Sequence, residues 1–324
     1  MTGQQQDRAF WVVGPRSGTI RNESLPPTGA ESVRVRALYS GISHGTESLV
    51  WHGRIPESQY PRMRAPFQAG DFPAPVKYGY ASVGVVEAGP EARIGQTVFC
   101  LYPHQSRYVV PAAAAYPLPA DLPPARAVLA ANVETALNIC WDAEPRPGER
   151  ISVIGAGVVG ALTAALCAEI PGTEVELVDI NPDRQPLADA LGVGFAAPST
   201  ARAGNDRVIH ASASESGLAL ALAIAADEAM LIEASWFGDR APQVPLGEAF
   251  HSGRLTLRAS QVGQLAPAMR PRWTHGRRMA KALALLEQRA HWDRLIDGES
   301  AFDDLPAAMD DIVGQPGLCH RIRY

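Results

Sequence analysis

The chain has 324 residues, of which 46% are hydrophobic and 19% charged, and its formal net charge is −5 at pH 7. This composition is typical of a globular protein with a sizeable core and room for two domains. The acidic balance argues against a nucleic-acid partner, which would need a basic face. We expect neither an N-terminal signal peptide nor a membrane span, because the sequence shows no charged and apolar leader and no run of about 18 apolar residues.

The four cysteines, Cys100, Cys140, Cys167 and Cys319, are widely separated and form no C-x-x-C pair. This spacing predicts neither a disulfide framework nor a cysteine zinc site. We therefore expect a cytoplasmic protein, because thiols stay reduced in that compartment.

The segment 1–120 is rich in short β-type patterns separated by proline and glycine. Alternating residues predict a strand in SVRVRALYSGIS, 32–43, and β-branched residues predict another in KYGYASVGVVEAG, 77–89. The segment QTVFCLYPHQSRYVVP, 96–111, predicts two strands around a turn. Five prolines between residues 56 and 75 predict a long irregular loop over 54–76.

From residue 128 onward, strand and helix patterns alternate. A helical pattern precedes an apolar strand, a glycine turn and an alanine-rich helix over 150–170, and a second strand and helix follow over 174–193. Further strands are predicted over 206–212, 228–235 and 254–262, further helices over 216–226 and 279–288, and a helix with a last strand over 301–324. The alternation predicts an α/β fold with a doubly wound, Rossmann-type parallel sheet.

The most specific motif is VIGAGVVG, in which Gly155, Gly157 and Gly160 have G-x-G-x-x-G spacing between a strand and a helix. Gly155 permits the tight turn, Gly157 lets the backbone approach a pyrophosphate, and Gly160 allows the helix to pack closely on the strand. Val158 and Val159 begin the helix, whose free N–H groups are expected to face the phosphates.

Asp179 ends the second predicted strand, 19 residues after Gly160. An acidic side chain there accepts hydrogen bonds from ribose hydroxyls and repels a 2′-phosphate, so we expect NAD(H) rather than NADP(H) as the cofactor. Arg184 is expected near the adenosine phosphate side, or as a cap of the turn. The alternative is a glycine turn in an α/β domain that binds no cofactor, with Asp179 as the N-cap of the next helix.

These motifs and their order resemble those of the medium-chain dehydrogenase/reductase superfamily, the alcohol dehydrogenase-like proteins. The resemblance covers nearly the whole chain and rests on SGISHGTE, KYGYASVGVVEAG, ANVETALN, VIGAGVVG and VDINPDR. The first two strings are similar to those of the bacteriochlorophyllide dehydrogenase branch, a similarity that transfers no tetrapyrrole specificity. The resemblance implies a GroES-like catalytic domain over 1–131, an NAD-binding Rossmann domain over 132–263, and a segment 264–324 that returns to the catalytic domain.

The resemblance also implies a homodimer, in which two cofactor domains pair through an edge strand. Here that strand is expected in RLTLRASQV, 254–262, where Leu255, Leu257 and Ala259 alternate with polar residues so that one face packs on the core. The unpaired backbone groups at its outer edge favour pairing with the same strand of a second copy.

Zinc-dependent members of this superfamily bind a catalytic zinc through three side chains, and the resemblance places Ser43, Tyr80 and Ala131 at these positions. These residues do not supply the nitrogen, sulfur or carboxylate ligands that zinc requires. The four-cysteine lobe of a structural zinc is also missing from the sequence, which runs from Gly89 directly into the next strand. We therefore expect an enzyme without zinc.

Without a metal, hydrogen-bond donors must stabilise charge on the substrate oxygen. The candidate catalytic residues are Ser43, His44, Thr46, Glu47 and Tyr80. Tyr80 stands where the family has a ligand facing the active site, although tyrosines in strands also commonly pack in cores. Thr46 matches the proton-relay threonine of the family, and alternatively it is the N-cap of a helix.

The resemblance gives three further residues supporting roles. His44 matches a basic residue near the cofactor pyrophosphate, and alternatively it is a solvated turn residue. Glu47 matches an acid that holds its loop through backbone hydrogen bonds. Thr135 matches a threonine that contacts the nicotinamide, and it is also a plausible ordinary helix residue.

The basic stretch MRPRWTHGRR places four arginines near the start of a helix, where positive charge opposes the helix dipole. An anionic partner is one explanation, and a solvated basic turn is the explanation that the pattern favours. The four residues are Arg270, Arg272, Arg277 and Arg278.

The expected function is a zinc-independent, NAD(H)-dependent oxidoreductase that transfers a hydride between the nicotinamide and a small-molecule alcohol or carbonyl. Two alternatives stay open: reduction of a conjugated C=C bond, as in enoyl or quinone reductases, and a protein that binds NAD without catalysis. Asp179 argues against the first alternative, because those reductases generally prefer NADPH. Neither a nucleic acid nor a membrane is expected as a partner.

Overall fold

The computed structural model describes residues 7–324. In chain order, its strands are β1 (Asp7–Gly14), β2 (Ser17–Glu23), β3 (Ser32–Ser43), β4 (Ala69–Gly70), β5 (Val76–Lys77), β6 (Ser82–Ala88), β7 (Thr97–Cys100), β8 (Arg107–Pro111), β9 (Tyr116–Pro117), β10 (Arg150–Ile154), β11 (Glu174–Val178), β12 (Gly194–Ala196), β13 (Asn205–His210), β14 (Ala225–Glu233), β15 (Thr256–Ala259), β16 (Ile296–Ala301) and β17 (Cys319–Arg323). Its α-helices are α1 (His44–Trp51), α2 (Pro124–Ala127), α3 (Ala130–Ala143), α4 (Val158–Ala168), α5 (Gln185–Leu191), α6 (Glu215–Ala223), α7 (His275–Glu287) and α8 (Leu305–Gly314).

Two structural units are present. Unit 1 comprises the described residues up to Ala131 together with Leu283–Tyr324. Its larger sheet has seven strands, in which β3 pairs with β6, β8 and β17, and its smaller sheet has the order β2-β1-β5-β4. The valines of β3, β6, β7 and β8 form a buried cluster, as β-branched residues on one face of a pleated sheet tend to do.

Unit 2 comprises Asn132–Ala282. Its six strands are all parallel in the order β12-β11-β10-β13-β14-β15, so the strand order reverses between β10 and β13. The helices that connect these strands follow the alternating pattern of the sequence. The prediction of a doubly wound parallel sheet beside a β-rich part is therefore confirmed. Dinucleotides bind at such a reversal, outside the carboxyl ends of the strands.

The strand predicted over 77–89 differs from the observed one. Strand β6 begins only at Ser82, and Lys77 belongs to the short strand β5 of the other sheet. Gly79 lies between them with a φ of +126°, a conformation that side-chain-bearing residues rarely adopt. The chain therefore leaves the regular strand conformation at Gly79 instead of continuing as one strand.

The predicted edge strand is present but shorter than expected. Strand β15 covers Thr256–Ala259 and is the last strand of the parallel sheet. The expectation that Leu255 and Leu257 share a core-facing side is wrong, because Leu255 is buried whereas 38% of Leu257 is exposed. Leu255 precedes the strand, so the regular alternation that we assumed does not extend back to it.

Two further expectations concern the ends and the surface of the molecule. The prediction of no signal peptide rests partly on residues 1–6, which lie outside the described residues. Among the residues that are described, no helix has the length and apolar character needed to cross a bilayer. The predicted C-terminal helix and strand are α8 and β17, and β16 was not predicted.

Candidate functional site

The glycine motif, residues 155–160, forms the turn between β10 and α4. Gly155 has a φ of +108°, and a Cβ on this residue would lie 2.7 Å from the backbone nitrogen of Ser212. A Cβ on Gly160 would collide with the carbonyl oxygen of Gly155, so only glycine lets the helix pack this closely. A Cβ on Gly157 would meet no atom within 4 Å, which leaves open space above its backbone. These features fit a turn that a pyrophosphate approaches.

Asp179 follows the last residue of β11 and is half-buried beside the glycine motif. Its Oδ2 accepts a hydrogen bond from the backbone N–H of Ala156 at 2.6 Å, and its Oδ1 accepts one from Asn181 at 2.8 Å. Each carboxylate oxygen has a second acceptor position, so the group can still bind ribose hydroxyls. Asn181, not Asp179, is the N-cap of the next helical turn, which excludes the capping alternative.

The remaining residues expected at the cofactor lie at three places in unit 2. Val158 and Val159 are the first two residues of α4, and Val158 is buried. Arg184 is half-buried at the end of a 3₁₀ turn before α5. Thr135 is half-buried in α3.

In unit 1, Tyr80 lies beside the start of α1. Its hydroxyl is hydrogen-bonded to the side chains of Ser43 and Thr46. These three residues are called the hydroxyl cluster below. Burial, followed by the nearby negative charge of Glu47, raises the pKa of Tyr80 far above its ordinary value, whereas the bonds to Ser43 and Thr46 act in the opposite direction. The Tyr80 hydroxyl therefore remains a neutral donor throughout the physiological pH range.

Glu47 connects the hydroxyl cluster to a buried series of hydrogen bonds. Its Oε1 accepts the backbone N–H of Ser43 at 3.0 Å, and its Oε2 lies 2.8 Å from Nε2 of His104. Nδ1 of His104 lies 2.8 Å from the Ser40 hydroxyl, which lies 3.0 Å from the hydroxyl of Tyr324. Glu47, His104 and Ser40 are each at most 4% exposed. Because an ionised carboxylate only accepts, Nε2 of His104 carries the proton that faces Glu47.

His104 is a residue of this site that the sequence analysis did not identify. It is 57 residues from Glu47 along the chain and lies in the turn between β7 and β8. A Cβ on Gly79 would lie 3.0 Å from its ring. The glycine between Tyr78 and Tyr80 therefore indicates that another residue packs closely against the backbone there, although the sequence alone does not identify that residue as His104.

Two expectations for α1 need correction. Thr46 is not the N-cap of the helix, because Ser43 occupies that position and Thr46 is the third helical residue. His44 is not a solvated turn residue, because it is half-buried as the first residue of the helix. Its ring packs directly against the backbone of Gly317, which has no Cβ to obstruct it.

The three positions that the sequence resemblance assigns to zinc ligands hold Ser43, Tyr80 and Ala131. Ala131 is 5% exposed and has no ligating atom in its side chain. Within residues 7–324, no group of three or more His, Cys, Asp or Glu side chains is arranged to hold a metal ion. The donors at these positions therefore do not fit a zinc ion.

The basic stretch is only partly solvated, so the expectation of a solvated turn is wrong for one of its arginines. Arg278 is 2% exposed, and its guanidinium binds Glu134 at 3.0 Å, Asn138 at 2.6 Å and the carbonyl oxygen of Val262 at 2.6 Å. The anionic partner is thus an acidic side chain of α3. Arg277 lies over the ring of Trp273 and is exposed.

Comparisons with known proteins show which proteins this chain is similar to. No family model matches the chain. It is 29% identical over 77 residues to the zinc-type alcohol dehydrogenase-like protein YdjJ of Escherichia coli (strain K12), a match that covers 24% of this chain and 22% of that protein.

Solved structures match over almost the whole chain. L-idonate 5-dehydrogenase from Escherichia coli K-12 has a TM-score of 0.81 and 15% identity, with 98% of each chain covered. An alcohol dehydrogenase from Escherichia coli CFT073 complexed with NADH has a TM-score of 0.79 and 16% identity, covering 98% of this chain and 99% of its own. A zinc-binding dehydrogenase from Sinorhizobium meliloti 1021 bound to NADP has a TM-score of 0.79 and 16% identity, covering 99% of this chain and 100% of its own. The chain therefore has the fold of these dehydrogenases.

Proposed function

We propose that this protein is a zinc-independent oxidoreductase that transfers a hydride between NAD(H) and a small alcohol or carbonyl compound. The observation that carries the proposal is the hydroxyl cluster of Ser43, Thr46 and Tyr80, which stands where the family binds its catalytic metal. When bound, the nicotinamide supplies or accepts the hydride. The residues of the chain must then bind the substrate oxygen, stabilise the charge that develops on it and manage one proton.

Tyr80 is the residue we assign to the substrate oxygen. Its hydroxyl can donate a hydrogen bond to a carbonyl oxygen, and this bond strengthens as negative charge develops there. Because its pKa is raised by burial and by Glu47, Tyr80 keeps its proton until such a charge is present. Ser43 and Thr46 orient the hydroxyl and share the proton network with it.

Glu47 and His104 are positioning residues in this proposal. Glu47 fixes the backbone of Ser43, and His104 fixes Glu47 through a bond between two buried side chains. The chain of bonds continues to Ser40 and Tyr324, so the cluster is held in part by the almost fully buried side chains of Glu47, His104 and Ser40. A preorganised group of donors of this kind needs no rearrangement during the reaction.

The cofactor assignment rests on unit 2. The space above Gly157 and the close approach of Gly160 to Gly155 fit a pyrophosphate-binding turn. Asp179 favours NAD(H), since a 2′-phosphate would lie against its carboxylate. Solved structures with this fold hold either NADH or NADP, so the proposal of NAD(H) rests on Asp179 and not on the fold.

We also propose a homodimer and a cytoplasmic location. The outer edge of β15 is unpaired within the described chain and can pair with a second copy across a two-fold axis. Light scattering should then give twice the chain mass of 34.6 kDa. A monomer would contradict the dimer, and Leu257→Pro should dissociate it whereas Leu257→Thr, which keeps the backbone N–H, should not.

The cytoplasmic location is supported by four free cysteines, of which Cys140 and Cys167 have Sγ atoms 3.9 Å apart without a bond.

Turnover of a panel of alcohols and carbonyls with NAD(H) tests the proposed function. Tyr80→Phe should lower kcat by about a hundredfold, the loss typical of removing one donor to a developing oxyanion. Tyr39→Phe is the matched control, because this tyrosine lies in β3, outside the hydroxyl cluster, and should leave kcat unchanged.

Each contrary result identifies an alternative. A kcat of the Tyr80→Phe variant equal to that of the unmodified protein would exclude the assigned role of Tyr80. Tight NADH binding without turnover of any substrate would favour a protein that binds NAD without catalysis. Reduction of conjugated enones with NADPH would favour a C=C reductase.

A further inference from the structure

Two of the four cysteines lie against each other in unit 2. Cys140 belongs to α3 and Cys167 to α4, and their Sγ atoms are 3.9 Å apart. Cys167 is buried, whereas Cys140 is only half-buried, so the second thiol is the one that solvent reaches. The two residues are called the thiol pair below. The hydride transfer proposed above uses neither of them.

The side chain of Cys140 faces α4 directly. Its Sγ lies 4.0 Å from the carbonyl oxygen of Thr163, which is one helical turn before Cys167. A disulfide holds its two sulfur atoms about 2 Å apart, so the Sγ atoms of the thiol pair must approach by roughly another 2 Å. Rotation about the Cα–Cβ bonds of the two side chains can cover a distance of this size. The thiol pair is therefore placed to form a bond between α3 and α4.

The opposite face of α3 is already held by polar contacts. Glu134, Asn138 and Asp142 follow one another at intervals of four residues, so they share one face of the helix. The guanidinium of Arg278 binds the first two of these side chains. Cys140 is two residues from Asn138, a rotation of roughly 200° around the helix axis, so it points away from this face. A disulfide between the thiol pair would thus fasten the second face of α3.

The difference in exposure assigns a step to each thiol. The Cys140 thiol loses its proton, and its sulfur attacks one oxygen of hydrogen peroxide. The O–O bond breaks, hydroxide leaves, and the sulfur is oxidised to a sulfenic acid. The sulfur of Cys167 then attacks the sulfenic sulfur, so that the S–S bond forms, the S–O bond breaks, and the departing hydroxyl takes the Cys167 proton as water. The hydroxide and the first proton form a second water, so two thiols and one peroxide give one disulfide and two waters.

We propose that the thiol pair is a site of reversible modification, at which hydrogen peroxide converts Cys140 and Cys167 into a disulfide that joins α3 to α4. Cys140 is the thiol that peroxide attacks, and Cys167 is the thiol that resolves the sulfenic acid. The hydrogen bond to Cys167, followed by burial, raises the pKa of Cys140. The thiolate is the reactive form, so the oxidation is slow compared with that of a low-pKa sensor cysteine. The inference is independent of the proposed hydride transfer.

The disulfide should stabilise unit 2 without entering the glycine motif. Its two cysteines are 27 residues apart, and closing a loop of this size restricts the unfolded chain. The Tm of the oxidised protein should therefore exceed that of the reduced protein by about 5 °C or more. Cys167 is near the end of α4, about 15 Å along the helix from Gly157, so the turn before α4 keeps its geometry.

Exposure of the full chain to hydrogen peroxide tests the proposal. After exposure, the protein is denatured, its remaining thiols are alkylated, and it is digested without reductant for mass spectrometry. We expect a cross-linked pair of peptides that contain Cys140 and Cys167, the loss of two of the four free thiols, and recovery of both after treatment with dithiothreitol. Cys100→Ala is the matched control, because it removes a buried thiol of unit 1 and should leave the yield of the cross-link unchanged.

Two variants separate the roles of the thiols. Cys140→Ser and Cys167→Ser should each abolish the cross-link and the rise in Tm, and in Cys167→Ser the unresolved Cys140 should proceed to sulfinic acid. The inference is overturned if peroxide leaves all four thiols of the unmodified protein free, or oxidises Cys140 to sulfinic acid without a cross-link. A main product that joins any other two cysteines would also overturn it. A disulfide that leaves the Tm unchanged would overturn its stabilising role.

Discussion

At the scale of single residues, the charge of Glu47 influences the site in two ways. It holds the backbone of Ser43 and it raises the pKa of Tyr80. Burial of a carboxylate is costly unless hydrogen bonds compensate for the lost water, and here Ser43 and His104 supply them. Tyr80 therefore stays protonated first because its hydroxyl is buried and second because the stabilised carboxylate of Glu47 faces it.

Asp179 leads to a prediction about cofactor choice. NADH should bind at least about tenfold more tightly than NADPH, a difference of about 1.4 kcal/mol, because the carboxylate would repel a 2′-phosphate. Asp179→Ser should narrow the difference, chiefly by improving NADPH binding. Titration of NADH and NADPH against the unmodified protein and the Asp179→Ser variant measures this difference in affinity. Asp183→Ser, an exposed acid four residues later, is the matched control. Equal affinity of the unmodified protein for the two cofactors would contradict the assignment.

Residues of the site differ in how far the sequence reveals them. The glycine motif and Asp179 are contiguous with their strands, so spacing alone places them. His104 cannot be found in this way, because its partner Glu47 is 57 residues distant and only the folded sheet brings them together.

At the scale of elements, α3 and α7 are joined by a buried ion pair within unit 2. Arg278 of α7 and Glu134 of α3 are both at most 4% exposed, and Asn138 accepts a further bond from the guanidinium. Burial raises the pKa of Glu134, and the charge of Arg278 opposes this effect. The sequence showed a basic stretch but not which arginine faces inward, because that depends on the helix packing.

Removal of one partner of this pair should be destabilising. Arg278→Met should lower the free energy of unfolding by about 3 kcal/mol, because it leaves Glu134 buried without its cation. Arg278→Met combined with Glu134→Leu should recover part of the loss. Denaturant unfolding followed by circular dichroism measures both. Arg272→Met is the control, since Arg272 is exposed and should change stability by less than about 0.5 kcal/mol. A loss of unfolding free energy in Arg278→Met as small as that of the control would show that the ion pair contributes little to stability.

The strands were predicted well where one face is buried and less well at bends and edges. Strand β3 matches its predicted range because alternation over twelve residues specifies both faces. The segment 77–89 is divided because Gly79 adopts a positive φ that the β-branched residues after it do not indicate. Strand β15 is short, and its exposed Leu257 shows that apolar residues at an edge need not face the core.

At the scale of the whole molecule, the hydroxyl groups of several tyrosines are buried in their neutral form. Burial is the largest cause of a raised pKa for each of them, and the pKa of Tyr102 reaches about 12. Unfolding would return these groups to an ordinary pKa of about 10, at which they release protons more readily. The residues concerned are Tyr78, Tyr80, Tyr102, Tyr108 and Tyr324.

This burial predicts a loss of stability at alkaline pH. Stability should be independent of these groups below about pH 9 and should decrease as the pH rises above about 10, because the unfolded chain then binds fewer protons than the folded one. The free energy of unfolding should be measured together with tyrosinate absorbance over this range. Tyr102→Phe should make the decrease shallower. A constant stability up to about pH 11 would contradict the burial of these hydroxyls.

The central claim is hydride transfer to or from the substrate carbon whose oxygen Tyr80, rather than zinc, polarises. One purified preparation should therefore be assayed for zinc content and for NAD-dependent alcohol oxidation, before and after dialysis against a strong chelator. The account predicts turnover in protein without stoichiometric zinc, at a rate that the chelator does not change. Turnover that disappears with the chelator and returns when zinc is added would contradict it.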